Sequence, residues 1–214
     1  MSKIRKIKAP IPLLCYGVCL IGFLAVCLWH FAGDSLARAN GRLAEAQMTA
    51  ADFVLAGLEQ QADGTLVTLD GDPQMIWENP DGRVVRTLRV EAGYSDEPRE
   101  VCLYYTNRAG EDFSQDKRVF PQKQADGSYR YTLPYGAIAS LRLDPCSPDE
   151  NKTVDLTFAP ATLTLNAAST LPAWWQYLVP TWYQTFCLIL YPALCASAVS
   201  LVRSFFAKKE PKKL

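Results

Sequence analysis

A chain of 214 residues has room for one ordinary domain and a few membrane elements. Its 22 basic and 22 acidic residues cancel overall but not locally: the first eight residues carry +4, Gly33 to Ala173 holds 13 Lys/Arg against 21 Asp/Glu (−8), and Arg203 to Leu214 carries +4. Dense positive charge occurs only beside apolar runs, which excludes a nucleic-acid-binding face, and the lone histidine, His30, ends an apolar run, which excludes Ser-His-Asp, Cys-His and His-ligated metal chemistry in the folded domain.

Residues 1–10 form a basic tail (Lys3, Arg5, Lys6, Lys8), and no charge follows between Ala9 and Gly33. The run 11–32 is long enough as a helix to cross a bilayer, because about 20 residues rise roughly 30 Å. Lys/Arg-rich flanks stay cytoplasmic, so the N-terminus is expected inside. Ala37-Arg38-Ala39 has the form of a signal-peptidase site. The apolar run exceeds a usual signal core of about 7–15 residues, however, and an uncleaved anchor is the expectation. Trp29, His30 and Phe31 then fall at the outer interface. Residues 33–51 read as a stalk, helical from Ser35 to Ala50.

From residue 52 to 168 the period changes to two. Leu103 and Tyr105 alternate with Cys102 and Tyr104, Tyr129 and Tyr131 with Arg130, Leu156 and Phe158 with Thr157, and Leu163 and Leu165 with Thr164. Turn signals such as Asp63-Gly64, Asn79-Pro80-Asp81-Gly82 and Asp126-Gly127 separate the runs. Eight or nine short strands with one buried face each predict a mainly β domain, an antiparallel, jelly-roll-like β-sandwich. Residues 169–181 crowd tryptophan and tyrosine into an interfacial segment. Residues 182–206 predict a second transmembrane α-helix containing Pro192, and 207–214 a second basic cytoplasmic tail. Ala193, Ser197 and Ser200, with Cys15, Cys19 and Gly22, offer small faces for helix pairing. The expected product is a two-pass plasma-membrane protein with both termini cytoplasmic and the β-domain outside.

Of seven cysteines, five lie in the apolar spans. Cys102 and Cys146 fall in the exported region as a candidate disulfide; the alternative is one core thiol and one loop thiol. No cofactor and no metal site is expected. Asp70 with Asp72, and Asp144 with Asp149 and Glu150, are acidic enough for calcium but lack its ligand spacing. No catalytic residue is nominated; a paired-carboxylate glycosidase is the weakest alternative, since the acids concentrate in turns where solvation accounts for them.

Aromatic rings offer stacking faces for sugars, with carboxylates and arginine to take hydroxyls. Tyr104, opposite Leu103 and Tyr105, is the first candidate for an exposed ring, and Tyr94, expected in a polar loop, the second. Arg142 and Asp144 share one strand face as an expected exposed ion pair and complete the candidate ligand-binding set.

The runs Asp72-Pro73-Gln74-Met75-Ile76-Trp77, Val101-Cys102-Leu103-Tyr104-Tyr105, Phe113-Ser114, Leu133-Pro134 and Leu141-Arg142-Leu143-Asp144-Pro145 occur in that order. Together they resemble the membrane-tethered, carbohydrate-binding-module-like β-sandwich of bacterial cell-surface polysaccharide synthesis proteins and membrane glycosyltransferases. The resemblance implies a non-enzymatic glycan- or partner-binding sandwich, accessory to envelope polysaccharide assembly. The alternative is a structural subunit whose spans pack against a larger membrane enzyme. Expected partners are the lipid bilayer, a cell-surface glycan and a larger membrane protein; nucleic acid is not among them.

Overall fold

The computed structural model describes residues 10–148 and 155–207, with the backbone alone over 155–162 and 206–207. The basic tails, Asp149 and Glu150, and the side chains of Leu156, Thr157 and Phe158 lie outside the described residues. The chain forms two compact units, Met1–Gly33 with Pro172–Leu214, and Asp34–Leu171.

Two helices dominate the first unit. Helix α1 spans Ile11–Ala39 and helix α2 spans Trp182–Ala207; both are long and apolar enough to cross a membrane. The expected break at residue 32 does not occur. Ser35 to Ala39 supplies good helix formers, and the helix stops where Gly41 turns left-handed (φ +75°) and its N–H bonds back to Arg38 O at 3.1 Å. Helix α2 opens on a reciprocal cap: the Gln184 N–H reaches Thr181 Oγ1 at 3.2 Å while Thr181 N–H reaches Gln184 Oε1 at 2.9 Å. Ahead of it, Trp174–Leu178 forms a 3-10 turn with Trp174 and Trp175 exposed.

Within this unit the Tyr16 hydroxyl donates to Ile189 O at 3.2 Å, next to the carbonyl of Leu188 that Pro192 deprives of its donor. Phe31 meets Tyr177 edge-on at 5.6 Å. Cys15, Cys19, Phe23 and Cys27 make the inner stripe of α1, with Pro192 and Ala196 on α2. The small face expected from Ala193, Ser197 and Ser200 is therefore displaced by one position, and Gly22, Ser197 and Ser200 are exposed.

Among the described residues the second unit holds twelve strands: β1 Ala46–Met48, β2 Val54–Ala56, β3 Leu58–Gln60, β4 Leu66–Thr68, β5 Gln74–Glu78, β6 Thr87–Tyr94, β7 Cys102–Thr106, β8 Arg118–Val119, β9 Gln122–Lys123, β10 Tyr129–Thr132, β11 Ser140–Asp144 and β12 Asp155–Leu165. All pairings are antiparallel. A seven-stranded sheet runs β3-β4-β12-β6-β10-β9 with β1 also on β12, and a five-stranded sheet runs β2-β5-β11-β7-β8. The expectation of eight or nine strands missed short ones. Ala46–Met48 in particular, assigned to the stalk, is a strand.

The core follows the alternation. Leu58, Leu66, Leu88, Val90, Tyr131, Leu163 and Leu165 from the larger sheet pack with Met75, Leu103, Leu141 and Leu143 from the smaller. Its outer faces do not follow the rule of one buried and one solvated side. In the smaller sheet Cys102, Tyr104, Thr106, Ser140 and Asp144 are buried although they point away from the core. The segment from Asn107 to Lys117 supplies Phe113 and Gln115 over that face.

Candidate functional site

Three of the four sequence candidates meet on the outer face of the five-stranded sheet. Register pairs Arg142 on β11 with Tyr104 on β7. The guanidinium lies 4.2 Å from the Tyr104 ring centroid and 5.7 Å from that of Phe113. It also grips Asp144 with two hydrogen bonds, of 2.9 and 2.8 Å. The side chains of this pair are only 19% and 10% exposed, which corrects the expected surface ion pair. Burial pushes the Asp144 carboxyl above its ordinary value even though Arg142 pulls the other way. Burial opposes the charge on Arg142 too, but Asp144 outweighs it and raises the arginine.

Tyr104 is likewise corrected: it faces outward as expected, yet it is 5% exposed and its hydroxyl exchanges contacts with Gln115. Among the described residues, the fully buried polar side-chain atoms of this cluster have internal partners except the Thr106 hydroxyl at its edge. Cys102 and Cys146 are free thiols, not a disulfide. Cys102 points to the outer face, its Sγ 3.8 Å from Asp144 Oδ2, whereas Cys146 packs into the core. Burial raises both thiols to about 11, helped at Cys102 by Asp144.

An open site lies elsewhere. A groove of about 490 Å³ runs beside β1, β2 and β5, within the range of small-ligand clefts. Its ring is Trp77, the penultimate residue of β5, opposite Leu141 and half-buried with one side on the core. The Trp77 indole N–H donates to no group among the described residues.

Local sequence sets the groove's polar rim. Asn79 closes the loop that follows β5: its amide nitrogen donates to Arg83 O (2.9 Å) and Ile138 O (2.7 Å), and its Oδ1 accepts from Arg83 N (3.0 Å). Gly82 takes the left-handed step (φ +60°). This turn presents Asp81 and Arg83, 3.6 Å apart. On the other side Thr49 follows β1 and caps the 3-10 turn Ala50–Asp52. Its N–H and hydroxyl both bond Asp52 Oδ2, at 2.7 and 3.1 Å. Glu78, at the end of β5, turns to the face opposite Trp77, where its Oε2 accepts from Ser140 Oγ at 2.7 Å.

No family model matches this chain, and no curated protein matches it. A solved structure similar to it is the low-affinity xylan-binding module CBM86 from the xylanolytic gut symbiont Roseburia intestinalis. That module is 19% identical, with 57% of this chain and 94% of the module covered and a TM-score of 0.39.

The fourth candidate, Tyr94, belongs to the other sheet. It is the last residue of β6, paired with Leu156, and not a loop residue. Burial, with smaller contributions from Tyr129 and Cys146, raises its phenol far above the ordinary value. Its edge lines a separate cleft of about 450 Å³ with Gln61, Asp63, Thr65 and Ser95. The structure thus brings together Tyr104, Arg142 and Asp144, leaves Tyr94 apart, and opens a groove at a residue that sequence reasoning did not nominate. The available signal was Trp77, the one tryptophan in the β region, followed within six residues by Asp81 and Arg83. Among the described residues no three of His, Cys, Asp and Glu cluster as a metal would need.

Proposed function

We propose that this protein is a non-enzymatic, two-pass membrane protein that presents a glycan-binding β-sandwich outside the plasma membrane, as an accessory to envelope polysaccharide assembly. The observation that carries the reading is the groove at Trp77. An indole with one open side and an uncommitted N–H, rimmed by carboxylates and an arginine, matches what a sugar offers: an apolar ring face and a belt of hydroxyls. The two apolar helices and the basic residues outside them support a topology with both tails cytoplasmic. Ala37 supports an uncleaved first span, because it is buried in the last turns of α1.

Glycan-array binding of the full-length protein in detergent micelles tests this reading. Neutral oligosaccharides bind the wild type, and Trp77→Ala abolishes the signal. Trp77→Phe, which keeps packing against the core but removes the N–H, binds measurably weaker without unfolding. Binding that ignores both substitutions overturns the groove. Tags at Asp126-Gly127 and after Leu214 test the topology: they label from outside and inside the cell, respectively.

A second reading, a structural subunit braced against a larger membrane enzyme, draws support from the closed outer face of the five-stranded sheet. There Tyr104, Arg142 and Asp144 are spent on one another, with Phe113 over them. Co-purification of a membrane enzyme, insensitive to Trp77 substitution, favours that reading.

A further inference from the structure

We infer that the groove at Trp77 receives the terminal ring of a glycan chain and excludes the chain's interior. The inference rests on the glycan reading of the groove and adds which part of the glycan enters it. The groove opens at one side of the sandwich, between the inner faces of the two sheets. On β5, Trp77 shares its face with Met75, which is fully buried in the core. On β1, Ala46 shares its face with the buried Met48. Trp77, Ala46 and Met48 all line the groove. Strand β2 pairs with β5 only as far as Ile76, through Val54, so among the described residues no strand covers the β5 edge at Trp77 on that side.

Both ends of this opening are stopped. At one end the chain itself crosses from β1 in one sheet to β2 in the other through residues 49–53, and Ala51, Asp52 and Phe53 line the groove. The two bonds from Thr49 to Asp52 and the burial of Phe53 fix that crossing. At the other end the turn after β5 is tied to the chain ahead of β1. The Val84 N–H donates to Arg42 O at 2.9 Å, and Arg42 Nη2 donates to Gly82 O at 3.0 Å. Asn166 adds a second tie, its amide nitrogen donating to Val84 O at 2.7 Å and to Ala44 O at 3.3 Å. The floor is core, with Met48, Phe53 and Leu165 buried.

A ring inside a glycan chain continues in two directions and needs a groove open at both ends. A terminal ring continues in one direction, and that direction is out through the mouth. It still offers the indole an apolar face. It also keeps a hydroxyl that an interior ring has used in its linkage, one more group to accept from the indole N–H or to meet the polar rim.

Isothermal titration of the full-length protein in neutral detergent decides it. The probes are cello-, xylo- and manno-oligosaccharides of two, four and six residues, and each parent polymer before and after partial endo-hydrolysis. In a series that binds, dissociation constants per chain agree within about twofold from two residues to six, with one protein per chain. Partial hydrolysis multiplies chain ends at constant composition, and so raises the binding capacity of the polymer in proportion to the new ends. Trp77→Phe weakens all lengths by the same factor. Borohydride reduction opens the reducing-end ring and assigns the bound terminus: lost binding places it at the reducing end, retained binding at the other, and either result supports the inference. Affinity per chain that climbs about tenfold or more from two residues to six, with polymer capacity indifferent to hydrolysis, overturns the terminal-ring inference. If Trp77→Phe weakens that binding too, the glycan reading stands. No sugar binding at all overturns both.

Discussion

The outer face of the five-stranded sheet and the groove at Trp77 are made of the same residue types: an aromatic ring, an arginine and carboxylates. They differ in what those groups have left to give. Arg142 is bonded twice to Asp144 and flanked by two rings, and Tyr104 is 5% exposed. At the groove, Arg83 and Asp81 stand 3.6 Å apart with 46% and 70% of their side chains exposed, and the Trp77 N–H donates to no group among the described residues. Composition alone does not make a ligand site. A site needs groups that are positioned by the fold and still unsatisfied, and hydrogen-bond bookkeeping separates the two regions where residue identity does not.

The sharpest way to break that contrast is to remove one partner of the buried pair. Asp144→Ala leaves Arg142 charged and nearly buried, and is expected to cost about 3 kcal/mol in a denaturant titration. Asp81→Ala at the groove should fall within about 0.5 kcal/mol of wild type. Equal losses at the two positions refute the distinction between a closed and an open region.

Tyr104→Ala comes next. It strips a buried ring from beneath the guanidinium and should lower stability by about 2–3 kcal/mol. It should leave the affinity of any glycan unchanged among the molecules that stay folded. Loss of affinity with unchanged melting temperature returns Tyr104 to the ligand site.

A smaller effect distinguishes the regions by pH. The raised carboxyl of Asp144 means that the folded state holds a proton that the unfolded state has already released. Its contribution therefore grows as pH falls from that raised value toward the ordinary 3.8. Asp126, lowered to about 2 by its hydrogen bonds from Ser128 and then Arg89, acts in the opposite sense, and its stabilisation is lost as pH falls through that range. The stability gap between wild type and Asp144→Asn should thus widen on acidification, and the gap to Asp126→Asn should narrow. Melting curves at stepped pH check both signs.

The smallest expected effect lies in the helical unit. Tyr16→Phe removes the hydroxyl from Ile189 O beside Pro192 and should weaken helix pairing by about 0.6 kcal/mol, measurable by steric trapping in bilayers.

Periodicity alone determined much of this molecule. The two apolar runs, the switch to alternation, and the inward assignment of Leu103, Tyr131, Leu163 and Leu165 were legible because helix and strand periods are local properties of the chain. The turn at Asn79-Pro80-Asp81-Gly82 was legible for the same reason. Sequence could also place Arg142, Asp144 and Tyr104 on the outer face of their strands, since that follows from counting in twos. What covers a face is not local. Only the tertiary structure brought Phe113 and Gln115 over Arg142 and Tyr104, and so turned an expected exposed ion pair into a buried one. Only the fold, too, set the 3-10 turn at Asp52 beside Trp77 and the Asp81 turn. The 3-10 turn is remote in sequence from Trp77 and the Asp81 turn directly after it, and meets them because β1 joins one sheet while β2 and β5 join the other. Burial and proximity are sums over the whole molecule, and no window of sequence contains them.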